Sequence, residues 1–269
     1  MTTLISWITF DNRGFAAAYM ASDSRISWAD SPNRWWDTGR KLFISKSFPD
    51  IFGYAGDVIF PALALGQIAD AVDAGLMFGL TANPWERHEV IVGSLKDSFA
   101  RRHRADNKDF DILHLSRYNG VEGPTVHAWS LHYDANNHVW TDRLLPVPDR
   151  TGVIERIGSG AHIAKDHQDK WGATSAYSRE IFSSFCDAIS DTKNGLSGGA
   201  PQLAGFYPSR PAQTYGILFR RTAYFNGLPV TRLETDTTTE WRDELFQRID
   251  VTTGFLLAGA QAHARPKGF

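Results

Sequence analysis

The stretch GRKLFISKSFPDIFGYAGD, residues 39–57, carries the pattern that decides the fold class. Its two apolar segments, KLFISKSF and DIFGYAGD, meet at Pro49 and Asp50, residue types that favour a turn. The segments therefore predict two antiparallel strands, and Gly56 leaves a bare backbone at the exit of the second strand. After Asp57 the apolar residues follow helical spacing, so the strand pair leads into a helix.

A second strand pair precedes this stretch at the start of the chain. TTLISWITF, residues 2–10, and GFAAAYMAS, residues 14–22, are apolar runs on either side of an Asp-Asn-Arg-Gly turn signal. These runs predict a β-hairpin. The polar, tryptophan-bearing segment 27–40 that follows predicts a loop.

Helices and further strands are predicted in blocks along the rest of the chain. Asn83-Pro84 predicts a helix start, and Ile91, Leu95 and Phe99 would share one face of that helix. A long helix is predicted at 172–190, with an inward face formed by Tyr177, Ile181, Phe185 and Ile189. Strands are predicted at 110–118, 125–133, 214–221 and 223–233, and a short helix at 241–249. This order predicts an α+β fold in which helices pack on mainly antiparallel sheets.

Length and composition limit the classes of protein to which the chain can belong. With 269 residues it can bury a sizeable core, as one large domain or two small ones. The net charge of −2 argues against nucleic acid or an anionic membrane as the main partner. The single cysteine, Cys186, excludes an internal disulfide and indicates a reducing, cytoplasmic compartment. No secretory signal is apparent, and Asp70 and Asp73 interrupt the most apolar stretch, which predicts a packed helix.

The motifs for metals and cofactors are weak. The histidines have neither HExxH spacing nor a cysteine partner. Gly158-Ser159-Gly160 lacks the final glycine of a dinucleotide fingerprint and the Lys-Ser/Thr of a P-loop, so it indicates a helix cap. Cys186 lies mid-helix among apolar residues, which is typical of a buried structural thiol. The sequence therefore predicts neither a metal nor a cofactor.

Thr2 and Thr3 directly follow Met1, and two interpretations of them are open. Threonine suits the start of a strand, and most chain ends have no chemical role. Alternatively, removal of Met1, which the small side chain of Thr2 permits, makes Thr2 the first residue. A threonine hydroxyl is a poor nucleophile without a neighbouring base, and a free α-amino group, with an intrinsic pKa of about 7.7–8.0, is such a base.

A nucleophile of this kind needs a cation to lower its pKa, an anion to hold the cation, and an N–H donor for the oxyanion. Lys41 at a strand start, Asp23 at a strand end and Gly56 at a strand exit are candidates for these roles. Each has a structural alternative, as a solvated lysine, a turn residue and a sterically required glycine. Their order behind Thr2 favours the functional interpretation.

In this order the segments resemble those of β-type proteasome subunits and of the bacterial heat-shock peptidase of that family. The matching segments are TTLISWITF, MASDSRIS, GRKLFIS, FGYAGDV and IGSGA, followed by a helix, an aspartate and Ser-Gly-Gly. The resemblance runs from residue 2 to about residue 220. It implies a four-layer αββα sandwich of the N-terminal nucleophile hydrolase type, with a proteasome-like domain at 1–222. Residues 223–269 would be a closing strand and C-terminal extension of the same domain.

The resemblance also implies a role for each matching residue. Thr2 would be the nucleophile and its amine the general base, while Asp23 holds Lys41 and Lys41 lowers the pKa of the nucleophile. The N–H of Gly56 would form the oxyanion hole. The residues that support the amine would be Ser159, Asp191 and Ser197, with Asn194 as an alternative to Ser197. The substrate side-chain pocket would be shaped by Ile26, Ser27 and Tyr54.

These roles imply a threonine-type endopeptidase in a homo-oligomeric ring that encloses the active sites. Its substrate would be a peptide or an unfolded protein, and an ATP-dependent unfoldase is a compatible partner. Two alternatives stay open. One is a proteasome-like scaffold subunit in which Thr2 is not used, an interpretation favoured by the long first hairpin. The other is a small-molecule amidase of the same nucleophile class.

Overall fold

The computed structural model describes residues 2–28, 34–103, 108–172, 177–191, 195, 197–232 and 238–266 of the chain. The strands are β1 (Leu4–Asp11), β2 (Gly14–Ser22), β3 (Ile26–Ser27), β4 (Trp35–Trp36), β5 (Leu42–Ile44), β6 (Asp50–Gly56), β7 (Phe110–Gly120), β8 (Gly123–Asp134), β9 (Val139–Leu144), β10 (Gly152–Ile157), β11 (Gln202–Phe206), β12 (Gln213–Phe219), β13 (Thr222–Phe225), β14 (Leu228–Pro229) and β15 (Trp241–Asp243). The helices are α1 (Ile59–Asp73), α2 (Pro84–Ala100), α3 (Ala161–Gly172) and α4 (Ser178–Ser190). Both types of element are present in quantity, so the predicted α+β class is confirmed.

The strands form two large sheets. The first has the order β10-β1-β2-β11-β12-β13-β14, and β15 also pairs with β12. The second has the order β5-β6-β7-β8-β9, and all its neighbouring strands are antiparallel. A two-stranded ribbon of β3 and β4 lies outside both sheets.

The predicted N-terminal hairpin is confirmed. Leu4 pairs with Ser22 in the β1–β2 register, so Thr3 lies opposite Asp23, and the N–H of Asp23 donates to the Thr3 carbonyl at 3.2 Å. The extra residues of the long hairpin are shared between the paired strands β1 and β2, so Thr3 and Asp23 at its open end remain in contact. The hairpin length therefore gives no reason against a site at Thr2.

The predicted second strand pair is present, but its turn begins earlier than expected. β5 ends at Ile44, and the segment after it wraps around the carboxylate of Asp73 at the end of α1. That carboxylate accepts the hydroxyl of Ser45 at 2.6 Å and the N–H groups of Lys46 and Ser47 at 2.9–3.0 Å. These contacts use the backbone donors that a longer strand would need, so residues 45–49 form the turn.

The helix predicted to start at Asn83-Pro84 is confirmed as α2. The helix predicted at 172–190 is shorter than expected, because α4 covers Ser178–Ser190 and Gly172 ends the separate helix α3. Asn83 caps α2 by accepting from the N–H of Trp85 and of Glu86. In α4, Ile181, Phe185 and Ile189 are buried as predicted. Tyr177 was predicted to face inward, but it precedes the first turn of α4 and its side chain is exposed.

Of the four clusters of buried apolar residues in the described part of the chain, three join the helices and the two large sheets. The first joins α4 to the first sheet, for example through Phe182 and Trp7, and the second joins α1 and α2 to the second sheet. The third contains residues of both sheets, for example Met20 of β2 and Leu113 of β7. Each sheet therefore has apolar contacts on both faces.

The C-terminal segment differs from its prediction. Residues 241–249 were expected to form a short helix, but Trp241–Asp243 form β15, which runs parallel to β12. The carboxylate of Asp243 accepts from the N–H groups of Leu245 and Gln247 at 2.8–2.9 Å, which favours a turn over a helix. The domain boundary at 222 stays a prediction; β13 (Thr222–Phe225) crosses it and pairs with β12 in one sheet. In the described part of the chain, no helix is both long and apolar enough to cross a membrane.

Candidate active site

The segment 158–160, which follows β10, holds Thr2 just before the start of β1 in the first sheet. The N–H of Gly160 donates to the Thr2 carbonyl at 3.1 Å, and the Thr2 nitrogen lies 3.4 Å from the Ser159 hydroxyl. Gly158 has a φ of +91°, and a Cβ at this position would overlap the Thr2 carbonyl. Only glycine therefore allows the N-terminal strand to approach this closely. Met1, whose removal the predicted mechanism requires, lies outside the described residues.

A buried ion pair lies beside this segment. The Lys41 ammonium is 2.7 Å from Oδ1 of Asp23, and neither side chain is exposed to solvent. The interpretation of Lys41 as a solvated lysine is therefore wrong. Burial lowers the pKa of Lys41, while the charge of Asp23 and their hydrogen bond oppose that shift.

The Asp23 carboxylate is fixed by backbone donors as well as by Lys41. Oδ1 also accepts the N–H of Thr3 at 3.0 Å, and Oδ2 accepts the N–H groups of Arg25 and Gly198 at 3.2 and 3.1 Å. The carboxylate thus links the N-terminal strand, the turn after β2 and the loop before β11. A buried ion pair adds little net stability, so an arrangement of this kind is typical of a functional site.

The predicted support residues occupy different surroundings. Ser197 contacts Thr3, since their hydroxyl oxygens form a hydrogen bond in the buried interior. Asp191 lies 3.2 Å from the Nε2 atom of His167, which connects it to helix α3. Asn194, the alternative to Ser197, lies outside the described residues. The structure thus brings Ser159 to Thr2 and Ser197 to its neighbour Thr3.

Gly56 ends β6 with a φ of +91°, and a side chain here would overlap the Asp109 carbonyl. The residue before it, Ala55, lies close to Gly158, since a Cβ built on Gly158 would be 3.4 Å from the Ala55 Cβ. Gly158 in turn contacts the Thr2 carbonyl. The end of β6 therefore lies next to Gly158, the glycine against which the Thr2 carbonyl packs. Gly56 is exposed, whereas the rest of β6 is buried.

The three predicted pocket residues differ in exposure. Ser27 lines a cavity of about 620 Å³, together with Asp191 and Ser197. Ile26 is almost buried, and its side chain lies against Gly39. Tyr54 is fully buried in the cluster between the second sheet and its helices, and its hydroxyl donates to the Arg40 carbonyl at 3.2 Å. Burial raises the pKa of Tyr54.

The sequence analysis did not single out several residues of this region. Gly158 and Gly160 were given no role of their own beyond a helix cap and a matching segment, although their missing side chains make room for Thr2 and Thr3. Gln202, from the distant strand β11, contacts the backbone of both Asp23 and Lys41. Among the described residues, no group of three or more His, Cys, Asp or Glu side chains is arranged to hold a metal ion.

Comparison with solved structures identifies the type of fold. Anbu (ancestral beta-subunit) from Yersinia bercovieri matches with a TM-score of 0.52 and 10% sequence identity, over 80% of this chain and 86% of that chain. The fold is proteasome-like. HslV from Trypanosoma brucei matches with a TM-score of 0.46 and 12% identity, over 76% of this chain and 99% of that chain. No protein-family model and no curated protein sequence matches the chain. Because both identities are low, the likeness concerns the proteasome-like fold alone.

Proposed function

We propose that the chain is a threonine-type peptidase, an N-terminal nucleophile hydrolase of four-layer αββα architecture that uses Thr2 after Met1 has been removed. The observation that carries this proposal is the buried Lys41–Asp23 ion pair, whose carboxylate also holds the N–H of Thr3. A fully buried lysine beside the second residue of the mature chain has little structural benefit. It is well suited to lower the pKa of a neighbouring amine and hydroxyl.

The reaction begins at Thr2. Its free amine takes the proton of its own hydroxyl, directly or through one water, and Oγ1 attacks the carbonyl carbon of the substrate amide. The negative charge that develops on the carbonyl oxygen is stabilised by the N–H of Gly56. The C–N bond then breaks, the leaving amine takes the proton from the Thr2 ammonium, and an ester on Thr2 is left. Water, activated by the same amine, hydrolyses the ester and restores the hydroxyl.

The remaining residues have supporting roles in this proposal. The Lys41 ammonium lowers the pKa of the Thr2 amine and hydroxyl, and Asp23 fixes the ammonium in place. Ser159, 3.4 Å from the Thr2 nitrogen, orients the amine. Ser197 and Asp191 support this arrangement from the loop that precedes β11, Ser197 through Thr3.

The substrate is proposed to be a peptide or an unfolded protein. Its side chain would lie in the open cavity that Ser27 lines, whereas Ile26 and Tyr54 are buried and do not line that cavity. The fold further supports a self-compartmentalising homo-oligomeric ring in the cytoplasm, which an ATP-dependent unfoldase would supply with substrate. These finer statements rest on the site and on the proteasome-like fold together.

The first test is the state of the N-terminus and the identity of the nucleophile. Intact mass should show loss of Met1, and fluorogenic peptides should be hydrolysed by the unmodified protein. Thr2→Ala should abolish hydrolysis, whereas Thr2→Ser, which keeps a hydroxyl and an amine, should retain a measurable rate. Hydrolysis that persists in Thr2→Ala would falsify the assignment of the nucleophile.

The same panel separates the proposal from its two alternatives. Retention of Met1 together with no hydrolysis would favour the scaffold subunit. Turnover of small acyl amides without turnover of peptides, abolished by Thr2→Ala, would favour the small-molecule amidase. An electrophile directed at threonine, mapped by peptide mass, should form its adduct on Thr2.

A further inference from the structure

Gln202 is a buried polar residue of β11 whose side chain lies against the ion pair of the site. Its side chain is 1% exposed, and its backbone pairs with Ser22, the last residue of β2. β11 begins far along the chain from Asp23 and Lys41. The side chain therefore brings a late part of the sequence into contact with both partners of the pair.

The carboxamide of Gln202 accepts a hydrogen bond from the segment that carries Lys41, and its NH2 group contacts acceptors in both that segment and the turn that carries Asp23. Oε1 accepts the backbone N–H of Lys41 at 3.0 Å. Nε2 contacts the carbonyls of Gly39 at 2.8 Å and Asp23 at 3.2 Å, and the hydroxyl oxygen of Ser24 at 3.1 Å. One side chain therefore connects the turn that carries Asp23 to the segment that carries Lys41.

The surrounding contacts fix the orientation of this amide. The Ser24 hydroxyl donates to the Ala200 carbonyl at 2.5 Å, so its oxygen can only accept from Gln202. Gly227, with a φ of +81°, covers Ser24, and a Cβ there would overlap the Ser24 hydroxyl. Among uncharged side chains, only a carboxamide of this length offers both the acceptor and the donors that these buried backbone groups need.

We infer that Gln202 is a positioning residue that sets the distance and direction of the Lys41 ammonium relative to Thr2. This inference rests on the proposed threonine-nucleophile function and names a further residue for it. Gln202 acts only through Lys41 and Asp23 and touches neither the nucleophile nor the substrate. Without the amide, the backbone groups of Gly39, Lys41 and Asp23 lose their shared partner, and the ion pair can shift as a unit.

A shift of this pair has a kinetic consequence that differs from loss of folding. A misplacement of about 1 Å in a catalytic constellation can cost ~10²-fold in rate. If the Lys41 ammonium moves away, the pKa of the Thr2 amine rises, because a nearby positive charge favours its neutral form. The acid limb of the pH–rate profile should then move to higher pH, and substrate binding should be little affected.

The test compares two Gln202 variants with a neighbour on the same strand. Gln202→Met keeps the shape without hydrogen-bonding groups, and Gln202→Asn keeps the groups on a shorter stem. Leu203→Ala is the control, because Leu203 is equally buried but belongs to the cluster with helix α4. We expect Gln202→Met to lose ~10²-fold in kcat with little change in KM, and its acid limb to rise in pH. Gln202→Asn should lose less, and Leu203→Ala should lower the melting temperature without moving the acid limb.

The outcomes that contradict the inference are distinct from those that contradict the proposed function. Unchanged kcat and an unchanged acid limb in Gln202→Met overturn the inference, and if this variant does not fold, Gln202→Asn decides by the same criteria. Equal kinetic changes in Leu203→Ala at equal loss of stability also overturn it, because a structural role would then suffice. Absence of hydrolysis and of any Thr2 adduct in the unmodified protein overturns the proposed function, and with it this inference.

Discussion

Nζ of Lys41 and Oδ1 of Asp23 lie 2.7 Å apart with both side chains fully shielded from solvent. Two charges buried together lose their hydration, and their attraction repays this cost only when their geometry is good. The N–H groups of Thr3, Arg25 and Gly198 complete the coordination of the carboxylate. The pair therefore couples the integrity of the fold to the proposed chemistry, and the two effects can be separated.

The first prediction concerns this pair. Lys41→Met should abolish peptide turnover and also lower the free energy of unfolding by about 3–5 kcal/mol, because it leaves the Asp23 carboxylate buried without its cation. The double variant Lys41→Met with Asp23→Asn removes both charges, so it should recover most of the lost stability and none of the turnover. Denaturant unfolding and peptide hydrolysis measure the two effects. Turnover in the double variant would show that the pair is structural only.

The second prediction concerns Gly158, against which the Thr2 carbonyl packs. Gly158→Ala should displace the N-terminal strand and abolish hydrolysis, because its Cβ would overlap that carbonyl. The matched control is Gly75→Ala, since Gly75 also has positive φ but a Cβ there meets nothing within 4 Å. The left-handed backbone alone should cost the control about 1–2 kcal/mol and leave its hydrolysis rate unchanged. Equal activity in the two variants would contradict the close approach as a requirement.

The third prediction concerns a buried histidine remote from Thr2. Burial lowers the pKa of His114 from 6.5 to about 4, against the opposing effect of Asp50. As the pH is lowered, the unfolded chain binds a proton at this histidine near pH 6.5, whereas the folded chain binds it only near pH 4. The free energy of unfolding therefore decreases as the pH is lowered from 6.5 to 4. The loss should be about 3 kcal/mol and should level off below pH 4 for this group.

Variants identify the group responsible for this pH dependence. The neighbours of His114 are His88, at 2.9 Å between Nδ1 atoms, Asp50 at 3.2 Å, and Arg87, which holds Asp50 at 2.9 Å. His114→Phe should flatten the dependence of stability between pH 6.5 and 4, while His103→Gln, at an exposed position, should leave it unchanged. The measurement is denaturant unfolding at a series of pH values. An undiminished slope in His114→Phe would assign the effect to another group.

Local signals in the sequence predicted the elements that carry the ion pair. The turn signal at residues 11–14 predicted the first hairpin. A register shift between Thr9 and Phe10 then places Thr3 opposite Asp23, where regular pairing from the turn would place it opposite Ser22. The apolar run after Lys41 predicted β5, which follows Lys41 directly. The hairpin and β5 depend on contacts between residues close in sequence, so a single sequence is sufficient to predict these elements, but it did not predict the register shift.

Other features depend on contacts between distant residues, and the sequence did not predict them. The end of β5 is set by Asp73, and the path of the C-terminal segment is set by pairing of β15 with β12. β10 was not predicted as a strand, and it is held by pairing with β1. Gln202 has no local signal, because its four partners come from residues 23–41. A solvated lysine and a fully buried one also have the same local sequence.

The pairing of β11 with β2 has a consequence for the newly made chain. Only after that late strand has docked do the amide N–H of Gln202 and the N–H of Gly198 reach Asp23, and the Gln202 acceptor reach the N–H of Lys41. A ribosome-bound fragment that ends before β11 would contain the Thr2 hydroxyl, Lys41 and Asp23. It would lack the hydrogen bonds from Gln202 and Gly198 that align them. The proposed hydrolase activity would therefore arise only once β11 has been synthesised and has paired with β2.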